Sequence, residues 1–267
     1  MKKILIIPDV HGRDFWIEPV IKVINNKDYF IVFLGDYLSC YPYEWEPGID
    51  YNQIAIERFK EVLDFKKENP EKVVLLMGNH DCSYINSNIC ECRTDWANWN
   101  KLNKMYLDNI KLFDLAWETK IGDKRYFFSH SGVRKEWFDR WVKDKLFKWD
   151  GDELPSADYF NNMFHSAYDD GRNFDKKFTN DFETAIGIYS KYRGWDGWDS
   201  GSIVWADIRE YSNKDGIEYP DVMFICGHTQ LEDRPIITDW VADLDVRRPF
   251  VLDTETGKIE EKTLPDE

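Results

Sequence analysis

The sequence predicts an α/β protein with a two-sheet β-sandwich core flanked by helices, and three observations carry that reading. Short runs of Ile, Val and Leu alternate with amphipathic stretches through the first third of the chain. A Gly122-Asp123 pair separates two strand-like runs in the middle, and further short apolar runs return towards the end.

Residues 3–7, 29–34 and 72–77 are continuous apolar runs bounded by Gly or Asp, the pattern of strands buried on both faces. Residues 15–25 and 52–67 lie between them. In the second stretch Ile54, Ile56, Phe59, Val62, Leu63 and Phe65 read as one helix. The order β-α-β-α-β makes the start of the chain largely parallel. A helix is expected over about residues 94–107. Residues 110–119 and 124–129 then bracket Ile121-Gly122-Asp123, which reads as a hairpin turn opening the second sheet. From about 134 to 200 the pattern is less regular, with helical stretches near 137–147 and 181–192, and reads as a helical cap or insertion within one domain spanning residues 1–267. The Gly194-Trp195-Asp196-Gly197-Trp198-Asp199-Ser200-Gly201 segment is a loop. Strands are expected again at 203–205, 222–226, 236–240 and 250–253.

With 267 residues, 43% of them hydrophobic and 16% aromatic, the chain can bury a large core. A formal net charge of -15 and a pI near 4.8 disfavour a broad electrostatic grip on nucleic acid or an anionic membrane. Small or proteinaceous substrates fit better, and bound dications would still make a local pocket positive. The apolar run at residues 4–7 is too short for a signal peptide, and no segment approaches the length of a membrane span. Cys40, Cys82, Cys90, Cys92 and Cys226 are an odd number, which favours a reduced, cytoplasmic setting. Cys90 and Cys92 lack a second pair at zinc-site spacing and read as free thiols.

Four of the five histidines sit in blocks rich in Asp, Asn and Gly, each just after an expected strand. These are Asp9-Val10-His11-Gly12, Gly78-Asn79-His80-Asp81, Ser129-His130-Ser131-Gly132 and Gly227-His228-Thr229, joined by the histidine-free Gly35-Asp36-Tyr37. Oxygen and imidazole donors gathered at strand ends are what a two-metal hydrolase site requires. If strand geometry continues through the first block, Asp9 and His11 turn to the same side. A carboxylate such as Asp36 can bridge two ions. His165 belongs to no block and reads as a packed or solvated histidine.

In these blocks and their order, from Lys3 to about Asp253, the chain resembles the calcineurin-like metallophosphoesterases, whose usual signatures are D-x-H, G-D, G-N-H-D/E, H-x-G and G-H. The start Gly35-Asp36-Tyr37 is nearest to the phosphoprotein phosphatase-like subgroup. The resemblance implies that Asp9 and His11 hold one metal, that Asn79, His130 and His228 hold a second, and that Asp36 bridges them. It also implies that His80 acts as general acid near the leaving-group oxygen. Mixed carboxylate, amide and imidazole ligation suits two divalent ions such as Mn, Fe or Zn. Roughly 3.5–4 Å apart, they would activate a shared hydroxide for in-line attack on phosphorus.

Two departures narrow the reading. The subgroup continues its second block with Asp, Arg and Gly, where the Asp orients the catalytic histidine and the Arg grips phosphate; Ser39, Cys40 and Tyr41 stand there instead. Asp81 or Ser39 is the expected substitute for orienting His80, and Arg193 or Arg209, with Asn79, for binding substrate. The last block carries Gln230 where many diesterases have a second histidine, which favours a phosphomonoesterase. The expected substrate is therefore a phosphorylated small molecule, a nucleotide or a phosphoprotein. A dinucleotide-polyphosphate hydrolase, a phosphodiesterase, and a metal-binding interaction module with weakened catalysis are the alternatives. Trp195, Trp198 and Trp205 read as core or cap packing before a nucleobase platform, and Cys226 as a buried structural thiol.

Overall fold

A computed structural model of the chain describes residues 1–86, 89, 93–168, 176–211 and 218–262. In chain order the elements are β1 (Lys3–Ile7), α1 (Ile17–Val23), β2 (Tyr29–Phe33), α2 (Tyr51–Glu68), β3 (Val73–Leu76), α3 (Asn79–Ile85), α4 (Trp99–Asp108), β4 (Phe113–Asp114), β5 (Ala116–Ile121) and β6 (Lys124–Ser129). After β6 come α5 (Lys135–Trp137), α6 (Ala157–Tyr168) and α7 (Lys176–Ile186), with a π-helical turn at Phe138–Val142. The chain then returns to strands β7 (Val222–Cys226), β8 (Ile236–Ile237), β9 (Val241–Asp243), β10 (Phe250–Asp253) and β11 (Ile259–Glu261).

The strands form two sheets, ordered β11-β10-β1-β2-β3-β4 and β5-β6-β7-β9-β8. In the first, β1, β2, β3 and β4 are parallel, with α1, α2 and the α3–α4 pair as the crossovers that parallel pairing requires. In the second, β6, β7 and β9 are parallel, while β5 reaches β6 through the expected hairpin, with Gly122 at φ +60.

The unbroken apolar runs have the predicted cause. Ile4 and Ile6 of β1, Val32 and Leu34 beside β2, and Val74 and Leu76 of β3 face Tyr126, Phe128, Met223, Ile225 and Ala242 of the second sheet. Their alternates Leu5, Ile7, Ile31, Phe33, Val73 and Leu75 join the cluster formed with the helices, among them Ala55, Phe59, Val62 and Leu63 of α2. Both faces of the first sheet are dry, so period-two alternation is absent from its strands. No helix among the described residues is long and apolar enough to cross a membrane.

Several boundaries differ from expectation. The helix expected from residue 94 starts at Trp99, because Asp95 turns the chain first by accepting the Asn98 N–H (3.2 Å). Residues 110–112 form a 3-10 turn, and β4 joins the first sheet, not the hairpin. Residues 203–205 are a buried turn and not a strand: Trp205 and Ala206 N–H both donate to Ser202 O (2.9 Å each). Ile203 and Val204 are apolar because they lie in the core beneath the Ser131 loop, whose N–H donates to Ile203 O (3.1 Å).

Candidate metal centre and its cavity

Parallel strands deliver their carboxyl ends to one edge, and the loops leaving those ends converge in a crevice. The blocks after β1, β2, β3, β6 and β7 meet there. His11 Nε2 and His130 Nε2 each lie 3.5 Å from Asp36 Oδ2, and His11 Nε2 lies 3.9 Å from Asp9 Oδ2. Asn79 Oδ1 lies 2.9 Å from both His130 Nε2 and His228 Nδ1, which are 3.2 Å apart. Asp36 is common to two groups of donor atoms that each fall within 4.8 Å of one another: one with His11 and His80, the other with Asp9 and His130.

The loops hold these groups by tight backbone geometry. His11, Asp36 and His228 have φ of 46, 53 and 70, a left-handed conformation that ordinary side chains rarely adopt. Asp9 and His11 therefore do not share a face through continued strand geometry, as the spacing suggested; β1 ends at Ile7 and the chain turns, with His11 N–H donating to Asp36 O (2.7 Å). The block glycines are there for closeness. A Cβ at Gly78 would stand 2.1 Å from Asp36 Oδ1, and one at Gly227 would stand 2.2 Å from Asp9 Oδ1.

Outer contacts orient the donors. His11 Nδ1–H donates to Leu38 O (2.8 Å) and His130 Nδ1–H to Leu34 O (2.7 Å), which turns each Nε2 towards Asp36. His228 N–H donates to Asp9 Oδ1 (3.0 Å), and His80 N–H donates to Asp36 Oδ1 (3.0 Å). Asp81 is not the partner of the His80 ring. Its carboxylate accepts from Asp36 N–H (2.7 Å), Gly78 N–H (2.8 Å), Tyr37 N–H (3.1 Å) and Tyr106 Oη–H (2.5 Å), and so clamps the second and third blocks together. The Ser39 hydroxyl pairs with Tyr84 Oη (3.3 Å).

The donor set suits cations. Asp9, Asp36, Asp243 and Asp245 are all buried, and Asp243 Oδ2 and Asp245 Oδ1 have no hydrogen-bond partner among the described residues. Burial lowers the basicity of His130, but the carboxylates of Asp36 and Asp9 outweigh it and push the imidazole up to about 10. Burial raises Asp9 to about 6 and lowers His80 to about 4. It also holds His11 and His228 well below the usual histidine range. Electron-pair donors that face one another in a dry site are what divalent ions satisfy.

The cluster opens into a cavity of about 530 Å³ whose walls include His11, Asp36, Asn79, His80, Arg93 and Arg193, with Tyr41, Tyr189, Trp195 and Trp205 around them. Arg193 enters from the Tyr189–Trp198 loop. It pairs with buried Asp207 (2.9 Å) and donates to His228 O (3.1 Å) and Thr229 Oγ1 (2.9 Å). Arg209 is on the other side of Asp207, donating to it (2.7 Å) and to Tyr192 O (2.8 Å), and is not among the lining residues. Trp195 and Trp205 line the cavity, whereas Trp198 packs edge-on against Trp141 at 5.2 Å. His165 pairs with Asp114 (3.0 Å), away from the site. Cys226 is buried with its thiol donating to Ala242 O (3.4 Å). Cys90 and Cys92 lie outside the described residues.

Sequence reasoning missed Arg93 and Tyr189 as lining residues. Arg93 follows the third block by a stretch without any motif, and nothing in its spacing marks it. Its Nη2 donates to His80 Nε2 (3.0 Å), so the ring contact sought from Asp81 or Ser39 comes from here.

Comparison with known proteins agrees with this architecture. Residues 2–247 match the family described as calcineurin-like phosphoesterase. A probable serine/threonine-protein phosphatase of Encephalitozoon cuniculi is 31% identical over 84 residues, which are 32% of this chain and only 16% of that protein. A cold-active protein-tyrosine phosphatase of a psychrophilic Shewanella species shares the fold, with a TM-score of 0.58 at 18% identity over 98% of this chain and 80% of that one. A second structure of a cold-active protein tyrosine phosphatase gives 0.57 at 17% identity, over 98% and 78% of the two chains. With the family matched across nearly its whole length and the five blocks converging at the carboxyl ends of strands from both sheets, this chain is a member of the calcineurin-like phosphoesterases.

Proposed function

We propose that the protein is a metal-dependent phosphomonoesterase. Asp9 and His11 would hold one divalent ion, Asn79, His130 and His228 a second, and Asp36 would bridge them. The observation that carries this is the position of Asp36 Oδ2, 3.5 Å from an imidazole nitrogen of each set. Two ions bound there would supply a water of lowered pKa and positive charge for the phosphoryl oxygens.

The chain's own residues do the rest. Leu38 O and Leu34 O keep His11 and His130 in the tautomer that presents Nε2. Asp81 holds the Asp36 backbone, and His80 N–H holds Asp36 Oδ1, which leaves Oδ2 to be shared. The His80 ring, 5.1 Å from the His11 ring, stands at the cavity wall; with Nε2 accepting from Arg93, it would donate a proton to a leaving-group oxygen from Nδ1–H. Arg193, fixed by Asp207, would supply a guanidinium for the phosphate from the cavity wall. The buried thiols Cys40, Cys82 and Cys226 suit a reducing, cytoplasmic compartment.

The aromatic lining favours one second reading, a nucleotide or dinucleotide-polyphosphate substrate, since Tyr189, Trp195 and Trp205 line the same cavity. The test is a panel of an aryl phosphate, a phosphopeptide, an aryl diester and a dinucleoside tetraphosphate, assayed with manganese, iron or zinc, on wild type and Asp36→Asn. The variant is expected to lose metal stoichiometry and at least about 100-fold in turnover. Retention of both would refute the bridging role.

A further inference from the structure

We infer that Arg93 is a phosphate-binding residue of this site, presented to the substrate on the face of Tyr41. The inference rests on the phosphoesterase reading above and assigns a group that no sequence block points to.

Three contacts orient the guanidinium. Arg93 Nε–H donates to Ser39 O (3.0 Å), Nη2–H donates to His80 Nε2 (3.0 Å), and the Cζ atom stands 3.7 Å from the centroid of the Tyr41 ring. The stacking distance puts the guanidinium plane on the ring face, a contact that desolvates a cation without consuming its donors. The contact with His80 brings it to the edge of the group formed by His11, Asp36 and His80, whose donor atoms lie within 4.8 Å of one another. Arg93 and Tyr41 both line the cavity.

The second block leaves this role open. Cys40 is buried, with its Sγ 2.5 Å from where a Cβ on Gly12 would stand and turned towards Tyr51 O (3.7 Å). No cationic side chain fits there. Ser39 and Tyr41, on either side of Cys40, are the residues that hold Arg93, so the same loop that lacks a guanidinium supports one brought from the segment before α4. Arg193 lines the same cavity, with its Nε on Asp207 and its Nη2 on His228 O and Thr229 Oγ1.

The experiment measures competitive inhibition by inorganic phosphate on the manganese-loaded protein, comparing wild type, Arg93→Ala and Arg93→Lys, with metal content and far-UV circular dichroism checked for each. Arg93→Ala is expected to raise both the KM for an aryl phosphate and the inhibition constant for inorganic phosphate by about 10- to 100-fold. Arg93→Lys should recover part of the loss, and added guanidinium ion should restore turnover to Arg93→Ala but not raise that of wild type. An unchanged inhibition constant in a folded, fully metallated Arg93→Ala protein overturns the assignment while leaving the phosphoesterase reading intact. Absence of turnover and of phosphate binding in metallated wild type overturns the reading beneath it.

Discussion

Gly227→Ala is the most discriminating single-atom test of the site. Gly227 does not require the left-handed backbone region, so alanine is tolerated by the main chain and the effect of the change comes from the added methyl alone. That methyl would stand 2.2 Å from Asp9 Oδ1, where ordinary contact begins at 3.4 Å, so the oxygen must retreat by about 1.2 Å. Asp9 is fully buried, and the same oxygen accepts the His228 N–H at 3.0 Å, so the retreat breaks that bond or drags the His228 loop with it. A ligand displaced by about 1 Å is expected to lower kcat/KM by about 10²-fold, while overpacking of this kind destabilises the fold by only about 1–3 kcal/mol. The assay is turnover of an aryl phosphate at saturating manganese, with bound metal measured by mass spectrometry and Tm by circular dichroism. Gly122→Ala is the control: its Cβ meets nothing within 4 Å, but φ is +60, so it should cost about 1 kcal/mol in stability with no change in rate. Wild-type kcat/KM and metal content in Gly227→Ala would show that Asp9 has no stake in the chemistry.

Two further outcomes follow from the electrostatics. In the metal-free protein His130 is pushed up to about 10 and is protonated at neutral pH, yet a ligand must be neutral, so metal loading expels a proton. Apparent affinity should therefore rise about tenfold per pH unit from pH 7 towards 10, and titration calorimetry in buffers of differing ionisation enthalpy should register about one proton released; no buffer dependence would contradict the assignment of His130. Arg193→Ala should reduce kcat/KM by about 10- to 100-fold through the lost phosphate contact, whereas Arg209→Ala, whose side chain is 54% exposed and outside the cavity, should stay within about threefold. Equal losses in the two variants would mean that Asp207, which both arginines contact, matters to the site more than either guanidinium does.

Legibility followed the physics of each element. The runs at β1, β2 and β3 were readable because burial on both faces demands Ile, Val and Leu without interruption, and α2 because 18 residues give the helical period room to show. Ile203 and Val204 misled because a buried turn asks for the same apolar residues as a strand. Asp81 looked like a partner for its neighbour His80, but helix α3 points its carboxylate back to the backbone of Asp36, Tyr37 and Gly78.

The sequence by itself determined the two-layer α/β architecture and the candidate donor residues that gather at the site, because strand burial and glycine at points of closest approach are local demands that leave a mark at fixed spacing. Only the tertiary structure decided which outer groups serve those donors. Arg93 reaches His80, Leu34 and Leu38 carbonyls set two imidazole tautomers, and Asp243 and Asp245 bring further buried carboxyl groups. These contacts join segments distant in the chain through backbone atoms or unpatterned side chains. Their strength comes from three-dimensional proximity in a dry site, a property that no run of neighbouring residues encodes.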